Sequence, residues 1–135
     1  MQPRYSDVID FVLCTHLHAD HVGWNTQLVD WRWVPTFPNA KYVFGRKEYD
    51  VWQAQFATDG NTRHMAGYRD SVLAVVEAGQ ALVVDDYAEI ADCLLVTPAP
   101  GHTAGHVALW LSSRGQAGVF TGDIIHHPVQ LKNPG

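Results

Sequence analysis

CTHLHADHVGWN, residues 14–25, places three histidines and an aspartate within the six positions His16 to His21. It overlaps the end of SDVIDFVLCT, residues 6–15, an apolar run that reads as a strand buried on both faces. Alternate side chains of an extended chain point the same way, so His16 and His18 project together from the strand end. Two imidazoles on one side can grip one metal ion. Asp20 would follow on that side if the chain stayed extended. His21 arrives one residue early, which suits a chain turning into a helix or loop, and Asp20 with His21 can then face a second ion. Imidazole nitrogen with carboxylate oxygen suits zinc, and also manganese, iron or cobalt. Packing does not explain the cluster, because imidazoles are poor core filler.

The rest of the chain can supply a body for such a site. Its 135 residues are 47% apolar, which predicts one packed domain spanning 1–135 rather than disorder. A formal charge of −5 with only nine Lys and Arg argues against broad binding to nucleic acid or an anionic membrane. Cys14 and Cys93 sit in apolar runs whose spacing matches neither a thiolate zinc site nor a disulfide framework, so both read as small buried hydrophobes. MQPRYSDVID, residues 1–10, has no apolar core of a signal peptide, and no run reaches transmembrane length. A cytoplasmic location is the expectation.

Periodicity predicts mixed elements. NTQLVDWRWVPTF (25–37) reads as two short strands around Asp30-Trp31, and AKYVFG (40–45) as another strand. RKEYDVWQAQF (46–56) has helical spacing, with Tyr49, Trp52 and Phe56 on one face. ATDGNTRHMAGY (57–68) reads as a polar loop in which His64 is ordinary. RDSVLAVVEAGQ (69–80) reads as a helix capped by Asp70 or Ser71 and ended by Gly79. ALVVDD (81–86) and DCLLVTPAP (92–100) read as strands, and GHVALWLSS with AGVFTGD as a hairpin across Arg114-Gly115; the tail from Ile124 has no clear period. The mixture fits an α/β or α+β sandwich.

THLHADH (15–21) resembles the His-x-His-x-Asp-His signature of the metallo-β-lactamase-fold hydrolases. TPAPGHTAGHVAL (97–109) is similar to that family's Gly-His-Thr-x-Gly-His segment, and VFTGDII (119–125) to its strand-end Gly-Asp. The likeness runs from Asp7 to about Leu131. HADHVGWN, TFPNAKYVFGRKEYDVW and GDIIHHPVQL look nearest the branch of quorum-quenching lactonases and methyl-parathion-type hydrolases. The resemblance implies an αββα sandwich and a pair of zinc ions. His16, His18 and His102 match the ligands of the first metal, Asp20 and His21 those of the second, and Asp123 the bridging carboxylate. Asp20, His21 and Asp123 are thereby the candidate catalytic residues. His106 matches a family histidine that usually packs or supports a ligand rather than binding metal. His126 and His127 follow Asp123 closely and can face either the pocket or solvent. Trp24, Trp31 and Trp33 can line an apolar entrance or pack under the loop.

The family places strands before the histidine motif and takes one more histidine from well beyond the bridging aspartate. Here the motif begins at residue 16 and the chain ends at Gly135, so a partial domain is expected, lacking the N-terminal strands and the C-terminal part. Its open sheet edges are expected to associate with a second copy. The implied activity is metal-dependent hydrolysis of a lactone, ester or related small molecule, with a metal-activated water as nucleophile; no Gly-x-Ser-x-Gly segment is present. The alternative is a non-catalytic remnant holding one metal or none. Nuclease activity is disfavoured by the acidic charge.

Overall fold

Three parallel strands carry the centre of the molecule. In the computed structural model, which describes residues 5–132, β1 (Phe11–Cys14) pairs with β4 (Lys41–Gly45), and β4 with β5 (Ala81–Val84). Parallel neighbours need long crossovers. The first crossover contains α1 (Ala19–Val22) and the hairpin of β2 (Thr26–Val29) with β3 (Arg32–Pro35). The second contains α2 (Arg46–Asp59), α3 (Ala66–Tyr68), a π-helical turn Arg69–Leu73 and α4 (Ala74–Glu77). An antiparallel sheet follows, in the order β6 (Glu89–Ile90), β7 (Leu94–Pro98), β8 (Val107–Ser113) and β9 (Gln116–Phe120), and α5 (Val129–Lys132) lies last.

The middle strand β4 is apolar on successive residues because both of its faces are buried. Tyr42 and Phe44 join Cys14, Trp52, Tyr68, Val72 and Val75 in a core under the helices. Val43, between them, points the other way and meets Ile90, Val96, Val107 and Leu109 of the second sheet. Val12 and Cys14 likewise face the helices while Phe11 and Leu13 face the second sheet. The order is helices, parallel sheet, antiparallel sheet. Trp110 and its partner Val119 are exposed on the outer face of the second sheet, so the fourth layer of an αββα sandwich is not present among the described residues.

The β2–β3 and β8–β9 hairpins turn as two-residue loops. Asp30 and Trp31 have φ of 49° and 64°, and Arg114 and Gly115 have 50° and 75°, the positive values that a type I′ turn requires. Asp-Trp is a poor composition for such a turn, yet the strand pairing on either side imposes it.

The segment expected as a loop at 57–68 is largely helical: α2 runs to Asp59, and a 3-10 turn Arg63–Met65 leads into α3. Met65 and Tyr68 are buried and supply the apolar anchors that its polar composition conceals. Asp70 and Ser71 therefore do not cap a helix start but lie inside the π turn. There the Thr26 hydroxyl donates to the Asp70 carbonyl at 2.9 Å and lies 3.3 Å from the Ser71 hydroxyl, joining β2 to the helical layer. Gly79 ends the helix at φ 71° as its position implies. No helix among the described residues is long and apolar enough to cross a membrane.

Cys14 is buried in the first core, where burial pushes its thiol up to about 11 against a weak opposing contact with Asn25, so it stays neutral. Cys93 is half-buried. Phe44 is fully buried between β4 and the helices. Phe44→Ala should cost about 3–5 kcal/mol. That is a large part of the ~5–15 kcal/mol available to a domain. A urea-denaturation midpoint lowered by less than the equivalent of ~1 kcal/mol would contradict this placement of the core.

Candidate metal centre

The candidate ligands lie in segments that follow the ends of three strands. β1 ends at Cys14, and the chain then loops through His16 and His18 before α1 brings Asp20 and His21. β7 ends at Pro98 and leads to the loop of His102. β9 ends at Phe120 and delivers Asp123 two residues past Thr121. The peptide N–H of Val107 donates to the Thr15 carbonyl at 2.9 Å, tying the second sheet to the end of β1. Within the His102 loop, Ala99 N–H donates to the His106 carbonyl at 2.8 Å and Gly101 N–H to the Thr103 carbonyl at 3.0 Å.

Two triads of candidate ligand atoms form at this junction, one of His16, His18 and His102, the other of His16, His21 and Asp123. Within each, the ligand atoms lie within 4.8 Å of one another. His16 belongs to both. Its Nδ1 lies 3.1 Å from the Thr15 hydroxyl, which turns Nε2 into the site. That Nε2 is fully buried with no hydrogen-bond partner among the described residues. A buried polar atom without a partner is costly. His18 Nδ1 and His102 Nε2 face each other at 3.0 Å. Two imidazole nitrogens at that distance must share one proton or face a common cation. The donor set of imidazoles and one carboxylate suits a divalent ion such as zinc, and the unpartnered Nε2 of His16 gives it a waiting ligand.

Asp123 belongs to the second triad and also reaches His102 of the first. Its Oδ2 lies 3.3 Å from His21 Nε2, 3.4 Å from His102 Nε2, 3.3 Å from His126 Nε2 and 3.8 Å from His16 Nε2. Partial burial pushes its carboxyl up, but the His126 hydrogen bond and the nearby His21 and His16 outweigh this and hold it below the usual carboxylate range. Burial drives the other way at His16: with added repulsion from His21, His106 and His18, it lowers the imidazole from 6.5 to about 4. His16 is therefore neutral at pH 7, the form that binds metal.

The predicted residues are not all equally placed. Asp20 lies at the rim with its side chain 80% exposed; its Oδ2 is 3.6 Å from His21 Nε2, and it belongs to neither triad. His106 is buried and stacks on His16 with ring centroids 4.9 Å apart. Its Nε2 accepts the Asp123 peptide N–H at 3.2 Å, so it holds the carboxylate's backbone in place. Burial, then the neighbouring His102, lowers the His106 pKa and favours this acceptor form. Gly122 makes the approach feasible: at φ 53°, a Cβ there would lie 2.5 Å from Thr15 Oγ1 and 2.7 Å from His106 Nε2. His126 does reach the site, whereas His127 is exposed and its Nδ1 accepts the Val129 N–H at 3.2 Å. His64 is exposed and stacks on Trp52 at 6.1 Å. Trp24 and Trp31 are exposed rather than packed under the loop, Trp31 to 93%.

The main residue missed in the sequence is Glu48, a fully buried carboxylate beside both ligand loops. A signal existed: Glu48 stands one turn before Trp52, on the apolar stripe of α2, where an acid needs a reason.

The family model of the metallo-beta-lactamase superfamily matches residues 7–135. The chain belongs to the metallo-beta-lactamase superfamily. The fold of this superfamily implies use of a divalent metal, for which the triads are the candidate site. Among solved structures, the chain is similar to the hydrolase AbOPH of the beta lactamase superfamily, at 25% identity and a TM-score of 0.79, covering 97% of this chain and 46% of that one. It is also similar to AidC, a dizinc quorum-quenching lactonase, at 22% identity and a TM-score of 0.70, covering 96% and 46%. A third likeness is to AiiA of B. thuringiensis, with N-decanoyl-L-homoserine at its active site, at 18% identity and a TM-score of 0.58, covering 84% and 37%. The chain thus spans less than half the length of these structures. The likenesses to AidC and AiiA bear on fold alone. No curated protein matches.

The depressed pKa of His16 sets a pH dependence. Between about 4 and 6.5 the unfolded chain binds more protons at this residue than the folded chain, so stability falls as pH drops through that window. The thermal midpoint of the metal-free chain should therefore decline from pH 7 to pH 4.5, and His16→Gln should lessen the decline. Equal slopes for the two proteins in circular-dichroism melts would refute this assignment.

Proposed function

We propose that this chain carries the metal centre of a metal-dependent hydrolase acting on a lactone, ester or related small molecule. The observation that supports this best is the pair of triads meeting at His16, with Asp123 in the second and reaching His102 of the first. In this reading His16, His18 and His102 would hold one zinc ion and Asp20 with His21 a second, with the Asp123 carboxylate available to both. Ions held there supply Lewis acidity and lower the pKa of water toward neutrality. The protein's own part is electrostatic and positional. Asp123 stays ionised and offers its Oδ2 to both sides of the site. His106 Nε2 fixes the Asp123 peptide, and His126 Nε2 lies 3.3 Å from the carboxylate at the exposed rim. Exposed Trp24, Trp31 and Trp33 offer aromatic surface to the apolar part of a substrate. The similarity to AbOPH, a hydrolase, supports the hydrolase class.

One observation favours a second reading, in which the chain holds a single ion and turns over little. Asp20 stands outside both triads, which leaves His21 and Asp123 with only the shared His16 for a second ion. Metal analysis with a lactone and ester panel separates the two. The hydrolase reading expects up to two equivalents of zinc and measurable turnover. It further expects His16→Ala to lose more activity than the ~10–100-fold that removing a ligand's supporting partner costs, together with metal content. One equivalent or less and no turnover would establish the second reading instead.

Association with a second copy belongs to the same proposal. β1 and β9 are both sheet edges, and an apolar groove of about 320 Å³ lined by Leu13, Leu94, Leu109, Leu111 and Phe120 opens between the sheets. Unpaired strand edges beside apolar surface favour pairing with a further chain. Light scattering should give twice the chain mass; a monodisperse monomer that unfolds cooperatively in calorimetry would exclude it.

A further inference from the structure

We propose that Glu48 is a positioning residue of the metal centre, its buried carboxylate joining the loop of His16 and His18 to the loop of His102. The inference rests on the metal-binding reading of that site. Glu48 is 2% exposed. Its Oε1 accepts the Leu17 peptide N–H at 3.0 Å and the Trp52 indole N–H at 2.9 Å. Its Oε2 accepts the Thr103 hydroxyl at 2.7 Å and the Gly105 peptide N–H at 3.1 Å. Leu17 lies between His16 and His18. Thr103 follows His102, and Gly105 precedes His106. One carboxylate thus holds the backbone or side chain next to four of the site's histidines, His16, His18, His102 and His106.

Several features make this carboxylate a clamp rather than a chance contact. Four donors meet the two oxygens of this buried carboxylate, so neither oxygen is left without partners. Glu48 also lies in the first turn of the 14-residue α2, where the helix dipole favours negative charge. The His102 loop rests directly on that turn: a Cβ on Gly105 would clash with the Glu48 backbone nitrogen and Cα. The two loops come from different sheets, so neither alone fixes the spacing between His18 and His102. Shared hydrogen bonds to one rigid acceptor do.

Glutamine at this position keeps the shape but replaces one acceptor oxygen with a donor NH2, which opposes the donors it meets. Glu48→Gln should weaken zinc affinity by about 10–100-fold in chelator competition and alter the visible spectrum of the cobalt-substituted protein. In the metal-free protein the Leu17 and Gly105 amides should exchange hydrogen faster. Thr103→Val, which removes a single donor, should weaken zinc binding in the same direction and serves if Glu48→Gln does not fold. Gln80→Ala is the control for general stability. Gln80 Nε2 ties the Phe37 and Ala40 carbonyls together at 2.9 and 2.8 Å, far from the ligand loops in sequence. It should lower the melting temperature and leave zinc affinity unchanged. Wild-type affinity and cobalt spectrum in both Glu48→Gln and Thr103→Val would overturn the proposal, as would an equal loss of affinity in Gln80→Ala. If the unaltered chain takes up no zinc or cobalt, the metal reading itself fails. The amide exchange rates of Glu48→Gln then decide whether the clamp exists.

Discussion

The hydrogen bond from Val107 N–H to the Thr15 carbonyl, 2.9 Å long, marks the junction on which the site depends. It sits where the last residues of β1 meet the first residue of β8, at one end of the sandwich. Behind it, Val43, Val96, Val107 and Leu109 close the two sheets on each other. In front of it, the loops after β1, β7 and β9 converge. Apolar packing supplies a rigid platform, and the side chains that do chemistry stand on the platform's edge. Loops can carry such groups because the scaffold beneath them does not move.

Polar groups at that edge are unusually crowded, and their burial sets their state. Four imidazole nitrogens face one Asp123 oxygen at 3.3–3.8 Å. Burial keeps His16 neutral down to about 4, while the surrounding imidazoles keep Asp123 ionised. A site that combines neutral imidazoles, an ionised carboxylate and an unpartnered buried nitrogen is prepared for a cation. The cost of assembling it is met by the supports behind it. Thr15 orients His16, His106 holds the Asp123 peptide, and Glu48 gathers four donors from three elements.

Much of this was legible in the chain. The run SDVIDFVLCT and the segment AKYVFG read as strands; β4 is buried on both faces, while of the first run only Phe11–Cys14 is a strand, half-buried up to the buried Cys14, and Tyr5–Val8 make a 3-10 turn. His16 and His18 read as a pair, and the turn into a helix that His21 implied by breaking the alternation is α1, Ala19–Val22. Asp123 read as a strand-end carboxylate and lies just past β9. Other features had no local signature. The helical stretch between Arg63 and Tyr68 looked like a loop because only Met65 and Tyr68 anchor it. Asp70 and Ser71 looked like caps because their side chains favour helix starts, but a contact with Thr26 places them mid-helix. Asp30-Trp31 turned tightly despite its composition because the register of β2 on β3 left room for two residues.

By itself, the sequence determined which side chains are present for chemistry and in what order strands and helices bring them. Periodicity and residue type are local properties, and they survive without knowledge of the partner surface. Only the tertiary structure decided that His16 is shared by both triads while Asp20 is left at the rim. It alone showed that Glu48, 30 or more residues from His16 and His18 and more than 50 from His102, holds their loops together. The physical reason is that ligand geometry, burial and hydrogen-bond satisfaction depend on distances between segments remote in the chain. Those distances exist only once the two sheets have closed.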